Sequence, residues 1–209
     1  LFRSAKDKES VSVKEFESDD DNTILIEVMV AEEDNIDQPV PDRVETKYIV
    51  SGKRSFEAAK AYAGKKVAVL NYANNHSIGG APFSAGAQEE SLCRCSTLFP
   101  CLEAMEEIFY QKHRDQYFLR EIGFMGNDDL IYTPDVVVFK TDERTNPVHP
   151  LMMERKDWYK VNVITCAAPQ MKRIAKLPDN YEDVVRSRIK KILDVVGLEL
   201  ILQVKQTVK

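Results

Sequence analysis

Residues 67–93, VAVLNYANNHSIGGAPFSAGAQEESLC, decide the fold of this chain. The apolar run at 67–70 predicts a buried strand, and a loop of small residues follows it. The glycine pair at 79–80 lets the backbone approach a ligand closely, and successive N–H groups in such a loop form a cradle for an anion. Two adjacent carboxylates, Glu89 and Glu90, then open a helix-like segment. Together these features predict a site for acid–base chemistry on a ligand that carries phosphates.

The same stretch resembles the signature of the microbial poly(ADP-ribose) glycohydrolases, in which a glycine triplet is followed after six to eight residues by Gln-Glu-Glu. Here Gly-Gly-Ala at 79–81 stands six residues before Gln-Glu-Glu at 88–90, so the spacing fits while alanine replaces the third glycine. Three further segments are similar to family segments and follow in the family's order: 91–94, 131–139 and 163–170. An ordered set of matches is far more specific than a glycine loop alone.

The resemblance implies an α/β fold, a macrodomain-like three-layer sandwich with a central mixed β-sheet. The chain's own pattern agrees, because predicted strands and helices alternate after residue 44. A length of 209 residues fits one domain. We therefore expect a single macrodomain-like ADP-ribose glycohydrolase domain over residues 1–209, truncated at both ends relative to the family.

Strands are predicted from apolar and β-branched runs, and helices from capping residues and helical periodicity. The predicted strands are 24–30, 44–50, 67–71, 136–139, 161–165 and 198–204. The predicted helices are 56–63 (capped by Ser55 and stopped by Gly64), 89–98, 101–113 (started by Pro100) and 182–196 (stopped by Gly197). The acidic run at 19–21 is expected to be a solvated turn.

The resemblance implies hydrolysis of the ribose–ribose O-glycosidic bond of poly(ADP-ribose), with release of ADP-ribose. Such a cleavage passes through an oxocarbenium-like state and needs a proton donor at the leaving oxygen, then a base for the attacking water. One carboxyl group can serve both steps, and the resemblance places it at Glu90. Glu89 is then expected to hold ribose hydroxyls and, as a neighbouring negative charge, to help keep Glu90 protonated. The alternative is that both carboxylates only offset the positive end of the helix dipole.

The implied substrate-binding residues are Asn71, Asn74, Gly79, Gly80, Ala81 and Gln88. The glycine-loop members are expected to present backbone N–H groups to the distal diphosphate, and the two asparagines to contact ribose. A loop asparagine can equally satisfy the loop's own backbone. Phe83 is expected either to lie over a ribose or to fill the base of the loop. Neither a metal nor a cofactor is expected.

Composition narrows the class of protein. The net charge of −5 argues against direct nucleic-acid binding, and no apolar run approaches the ~20 residues that span a bilayer. The N-terminal residues lack the apolar core of a signal peptide, and four cysteines do not make a disulfide framework, so we expect a cytoplasmic protein. Cys93, Cys95 and Cys101 are interpreted as buried apolar residues, with a zinc site as the alternative. The expected partner is ADP-ribose or poly(ADP-ribose) attached to proteins, with no nucleic acid and no membrane.

The chain departs from the family pattern after its last predicted helix. In the family a strand and a second glycine-containing loop follow, and that loop wraps the diphosphate, whereas residues 198–209 contain no glycine. Three explanations stay open: the chain is a fragment or truncated variant, another segment substitutes, or hydrolysis has been lost. The alternative functions are accordingly a non-catalytic ADP-ribose-binding macrodomain and a structural remnant that binds no nucleotide.

Overall fold

A five-stranded mixed sheet is the centre of the fold. The computed structural model describes residues 10–17, 24–31, 49–143, 148–170 and 176–207. The acidic run at 19–21 and most of the predicted strand at 44–50 lie outside these residues. The described strands are β1 (Ser10–Glu17), β2 (Ile24–Ala31), β3 (Ala68–Ala73), β4 (Leu130–Val138) and β5 (Tyr159–Ala167).

The strands lie in the order β1-β2-β4-β5-β3. β3 pairs in parallel with β5, and the other neighbours are antiparallel. Among the described strands β3 therefore forms one edge, and its carboxyl end meets the carboxyl end of β5. The predicted strands at 24–30, 67–71, 136–139 and 161–165 are confirmed, with bounds that differ from those predicted.

Helices cover both faces of this sheet. They are α1 (Ser55–Lys60), α2 (Gln88–Cys95), α3 (Leu98–Glu103), α4 (Lys112–Phe118) and α5 (Tyr181–Thr207), with a π-helical segment at Glu106–Gln111 and a 3₁₀ turn at Arg155–Asp157. On one face Phe56, Leu92 and Phe109 pack against Val161 and Val163 of β5. The other face carries Leu130, Ile164 and Cys166, which pack with Ile192, Val195 and Val196 of α5. The predicted three-layer sandwich is confirmed.

A β-bulge in β4 explains how one strand serves both layers. The pairing with β5 shifts register between Thr133 and Val136, and Asp135 has a positive φ of 54°. Before the bulge the odd-numbered Ile131 faces the helices α1 to α3, and after it the even-numbered Val136 and Val138 do so. One extra residue reverses the alternation, as a bulge does, and the apolar face stays continuous.

The helix boundaries before residue 120 differ from those predicted. α1 ends at Lys60 and not at the predicted residue 63, and α2 spans Gln88–Cys95 where 89–98 was predicted. Ser55 is the first residue of α1 rather than its cap; Arg54 precedes it, and the Arg54 N–H donates to Glu57 Oε2 at 3.3 Å. The predicted helix at 101–113 is three segments, and the first begins at Leu98. Pro100 is accommodated at its third position because the first N–H groups of a helix have no partner within it.

The largest correction concerns the end of the chain, where the predicted stop at Gly197 and strand at 198–204 are wrong. α5 runs through Gly197 to Thr207. Gly197 does not adopt the left-handed conformation that ends helices. A glycine inside a helix costs about 1 kcal/mol relative to alanine. The residues that follow Gly197 favour helix, among them the leucines, Glu199, Gln203 and Lys205.

Two properties of the described residues bear on function. Within them, no helix is both long and apolar enough to cross a bilayer. The same residues contain no group of three His, Cys, Asp or Glu side chains placed to hold a metal ion. All four cysteines are free. Cys93 and Cys95 are buried, which agrees with their interpretation as apolar residues, whereas Cys101 is only half-buried.

Candidate functional site

The site begins at the carboxyl end of β3. Asn71 lies opposite Thr165 of β5 in the parallel register, and both side chains are fully buried. Asn71 Nδ2 donates to Thr165 Oγ1 at 3.2 Å and lies 3.5 Å from Glu89 Oε1. Ligands of open α/β sheets bind where the carboxyl ends of parallel strands meet. The structure therefore brings the predicted Asn71 and Glu89 together at that edge.

Glu89 is a buried carboxyl group with few donors. It is 4% exposed, and its Oε2 accepts the backbone N–H of Asn74 at 2.8 Å. Burial raises the pKa of Glu89 to about 7; the hydrogen bonds from Asn74 and Asn71 oppose this rise, and the charge of Glu90 adds to it. Near neutral pH the group therefore exists in both protonation states, so that it can accept from or donate to a ligand hydroxyl.

Glu90 lies directly beneath the glycine loop. Its Oε1 accepts the backbone N–H of Ala81 at 3.2 Å. Its Oε2 is buried and has no hydrogen-bond partner among the described residues. The carboxyl group and the predicted diphosphate loop are thus in contact, which is the juxtaposition that the sequence predicts.

The glycines are required by the path of the loop. Gly79 and Gly80 have φ values of +61° and +65°, which side chains rarely adopt. A Cβ on Gly79 would lie 2.9 Å from the Phe99 ring, and a Cβ on Gly80 would lie 2.4 Å from Glu90 Oε1. Among the described non-glycine residues only Arg120 and Asp135 have positive φ, so Ala81 has an ordinary backbone conformation. This explains why alanine is tolerated at the third position.

Four N–H groups of the loop are engaged within the protein rather than open to a ligand. The N–H groups of residues 76 and 77 donate to Asn74 Oδ1 at 2.8 and 3.1 Å. Gly80 N–H donates to the Ser77 carbonyl, and Ala81 N–H to Glu90. The exposed Asn74 thus satisfies the loop backbone, which was the alternative interpretation of this residue. A diphosphate could accept the N–H groups of Gly80 and Ala81 only after their bonds to Ser77 and Glu90 break.

Gln88 has a different position from the one expected of a ligand contact. Its Oε1 accepts the Tyr72 N–H at 2.8 Å, and its Nε2 donates to the Leu70 carbonyl at 2.7 Å and to Ser55 Oγ at 3.0 Å. The amide therefore pairs with the outer edge of β3 as a neighbouring strand would. In this conformation Gln88 orients the start of α2, and its direct contact with substrate remains a prediction.

Several side chains around the loop were missed from the sequence. Arg94 Nη1 donates to the carbonyls of Pro82 and Ala85 at 2.5 and 2.6 Å. Arg114 Nη1 donates to the His76 carbonyl at 2.9 Å. The i, i+4 spacing of Arg94 from Glu90 was the available signal, whereas nothing in the sequence links Arg114 to the loop.

Phe83 is 87% exposed, so it does not fill the base of the loop.

One family model and several solved structures match this chain. The family model for the microbial-type PARG catalytic domain matches residues 3–141. The poly(ADP-ribose) glycohydrolase structure from Thermomonospora curvata is 30% identical, with a TM-score of 0.66 over 78% of this chain and 56% of that one. The same enzyme bound to the inhibitor ADP-HPD gives 31% identity, a TM-score of 0.60, and coverage of 71% and 53%.

A second bacterial structure is also similar. The Deinococcus radiodurans poly(ADP-ribose) glycohydrolase in complex with ADP-ribose is 28% identical, with a TM-score of 0.57 over 71% of this chain and 57% of that one. No curated protein matches the chain. The chain spans little more than half the length of the solved structures that it matches.

Proposed function

We propose that this chain, which belongs to the microbial-type poly(ADP-ribose) glycohydrolase family, hydrolyses the ribose–ribose O-glycosidic bond of poly(ADP-ribose) and releases ADP-ribose. The contact between Glu90 and the glycine loop, beside the buried Glu89, is the observation that carries the proposal. This contact supports the proposal because it holds one carboxyl group against the predicted diphosphate loop.

In the proposed reaction Glu90 acts twice. It first donates its proton to the leaving ribose oxygen as the bond from that oxygen to the anomeric carbon breaks. The resulting carboxylate then takes a proton from the water whose oxygen bonds to the anomeric carbon, which restores the acid. One water is consumed, and the reaction uses neither a metal nor a cofactor.

Glu89 is proposed to hold the ribose hydroxyls during both steps. Its carboxyl group is fixed by Asn71 Nδ2 and the Asn74 N–H. A carboxyl group with a pKa of about 7 can either accept from a hydroxyl or donate to it near neutral pH. Asn71 and Asn74 then act mainly by positioning Glu89. Gly79 to Ala81 meet the diphosphate with their N–H groups, and those of Gly80 and Ala81 first leave Ser77 and Glu90.

The substrate is proposed to be poly(ADP-ribose) attached to proteins, and the compartment the cytoplasm. These proposals extend the family resemblance. ADP-ribose is present in the Deinococcus radiodurans structure, and the inhibitor ADP-HPD in one of the Thermomonospora curvata structures.

A second candidate is an ADP-ribose-binding module without turnover. The buried Oε2 of Glu90 favours it, because a general acid must reach the glycosidic oxygen. The same glycine loop would serve such a module. The two candidates therefore differ in whether Glu90 transfers a proton.

The decisive test compares the wild-type protein with Glu90→Gln. Release of ADP-ribose from an auto-modified ADP-ribosyltransferase should fall by ~10²-fold or more, the usual scale of acid–base catalysis, because glutamine cannot transfer a proton. The Kd for ADP-ribose, measured by calorimetry, should change little. Glu121→Gln, on an exposed residue, is the matched control and should behave as wild type.

Two results would overturn the assignment. A wild-type protein that binds ADP-ribose yet releases none under any condition would establish the binding module. Turnover by Glu90→Gln at the wild-type rate would place the general acid elsewhere.

A further inference from the structure

Residues 81–85 form one compact turn that lies on α2. The carbonyl of Ala81 accepts the N–H groups of Ser84 and Ala85 at 3.1 and 3.0 Å. Its N–H end and its carbonyl end are both held by the same helix. Glu90 Oε1 accepts the Ala81 N–H at 3.2 Å, and Arg94 Nη1 donates to the carbonyls of Pro82 and Ala85 at 2.5 and 2.6 Å.

The charges match the polarity of the turn. A turn with aligned peptide units exposes N–H groups at its start and carbonyl groups at its end, so it attracts an anion at the first and a cation at the second. Glu90 and Arg94 are four residues apart, which places them on one face of α2. Their spacing lets a single helix face clamp both ends of the turn.

The hydrogen bonds at the two ends of the turn differ in strength. Arg94 makes two short charge-assisted bonds from one guanidinium nitrogen, whereas Glu90 makes one longer bond through Oε1. Gly80, with its φ of +65°, lies immediately before the Glu90-held end. The N–H end can therefore move while the carbonyl end stays fixed.

We propose that Arg94 is the positioning residue of this site: it anchors the 81–85 turn to α2 while the Ala81 N–H passes from Glu90 to an anionic oxygen of the ligand's diphosphate. The proposal rests on the proposed function, since it assumes an ADP-ribose ligand. The exchange frees the Glu90 carboxyl group for the glycosidic oxygen in the same step that binds the diphosphate. Without the anchor, the turn would leave the helix and its donor would no longer be held near the ligand.

The first measurement needs no ligand. Amide hydrogen exchange of the full chain, followed by NMR, reports the Ala81 N–H directly. Arg94→Gln should accelerate Ala81 exchange by ~10-fold, the equivalent of 1.4 kcal/mol, while amides within β5 keep wild-type rates. Arg94→Lys should recover only part of the protection, because an ammonium group can also donate to carbonyls but lacks the geometry of the guanidinium. Arg186→Gln, on an exposed residue of α5, is the matched control.

The second measurement is binding of ADP-ribose to the same variants. Arg94→Gln should weaken the Kd by ~10-fold or more, the scale of one lost charge-assisted bond, and Arg94→Lys by less. In wild type, saturating ADP-ribose should shift the Ala81 amide resonance, and Glu90→Gln should shift it without ligand. A loss confined to stability would lower the Tm of Arg94→Gln and leave its low-temperature Kd unchanged, and that result would overturn the role of Arg94 in ligand binding.

The results separate this proposal from the proposed function. Wild-type Ala81 exchange and ADP-ribose Kd in a folded Arg94→Gln variant would overturn the anchoring role, whatever the enzyme activity. Accelerated Ala81 exchange in a protein that binds ADP-ribose but releases none would support the anchor and overturn hydrolysis. If Arg94→Gln does not fold, the intermediate Arg94→Lys variant decides: wild-type exchange, Kd and Tm with lysine would overturn a dependence on the guanidinium, and graded changes in exchange and Kd would support it.

Discussion

Asn71 and Glu89 meet where β3 ends and α2 begins, with Asn71 Nδ2 3.5 Å from Glu89 Oε1 and both side chains buried. That separation is at the outer limit of a hydrogen bond. The Asn71 Oδ1 atom is buried with no hydrogen-bond partner among the described residues. The amide therefore compensates the burial of the carboxylate only partly, and the pKa of Glu89 rises to about 7.

The free energy of unfolding should consequently fall as the pH rises through the pKa of Glu89. The Glu89 pKa is 4.5 when unfolded and about 7 when folded, so the native state binds more protons between these values. The free energy of unfolding keeps its full value below pH 4.5. It is lower by about 3 kcal/mol once the pH exceeds the pKa of the folded state. Urea unfolding between pH 4 and 8 should show this slope in wild type and in Glu121→Gln. Glu89→Gln should flatten it; an undiminished slope would contradict the pKa assignment.

A second prediction concerns Asp142, which ties α1 and α2 to the segment after β4. Its Oδ1 accepts from Arg54 Nε and Ser91 Oγ, both at 2.6 Å, and its Oδ2 accepts the Phe56 N–H at 3.1 Å. Asp142→Ala leaves three donors without their acceptor and should lower the free energy of unfolding by about 3 kcal/mol or more, measured by urea denaturation.

The control for Asp142 is another aspartate in an ion pair. Asp135 lies 3.5 Å from Lys160, and both side chains are largely exposed. Asp135→Asn should change stability by less than about 1 kcal/mol, and asparagine tolerates the positive φ at this position. Equal losses in the two variants would show that the burial of Asp142 carries no special weight.

The strand, glycine loop and helix of residues 67–93 could be predicted because each is specified locally. An apolar run, small residues that permit positive φ, and a carboxylate pair in the first turn need no distant partner. The loop and Glu90 lie in this one stretch, and the structure joins them through the Ala81 N–H.

The parts that could not be predicted depend on distant residues. Asp142 reaches Ser91 across 51 positions of sequence, and Arg114 reaches His76 across 38. Gln88 can pair with β3 because that strand lies at an edge of the sheet that the described strands form. The continuation of α5 through Gly197 shows the opposite difficulty, since one weak helix breaker did not outweigh the helix formers around it.

A third prediction distinguishes the edge-pairing role of Gln88 from a ligand contact. Gln88→Glu removes the donor to the Leu70 carbonyl and places a carboxylate oxygen against it. The free energy of unfolding should fall by about 1–3 kcal/mol, because a half-buried acceptor loses its partner and faces a like-charged oxygen. Gln88→Met removes all three hydrogen bonds of the side chain without adding charge and should cost less. Wild-type stability in both variants, together with a weaker Kd for ADP-ribose, would instead make Gln88 a ligand contact.

The last prediction tests the contact on which the site is built. A Cβ on Gly80 would lie 2.4 Å from Glu90 Oε1 and 3.3 Å from Glu89 Oε2, and the residue has a φ of +65°. Gly80→Ala must therefore move the loop or the carboxyl group, and a displacement of ~1 Å can cost ~10²-fold in rate. Release of ADP-ribose should fall by about that factor, and the Tm should fall with it because of the left-handed backbone. Gly52→Ala is the control, since a Cβ there meets nothing within 4 Å. Full activity in Gly80→Ala would show that the site does not depend on the close packing of residue 80 against the Glu90 carboxyl group.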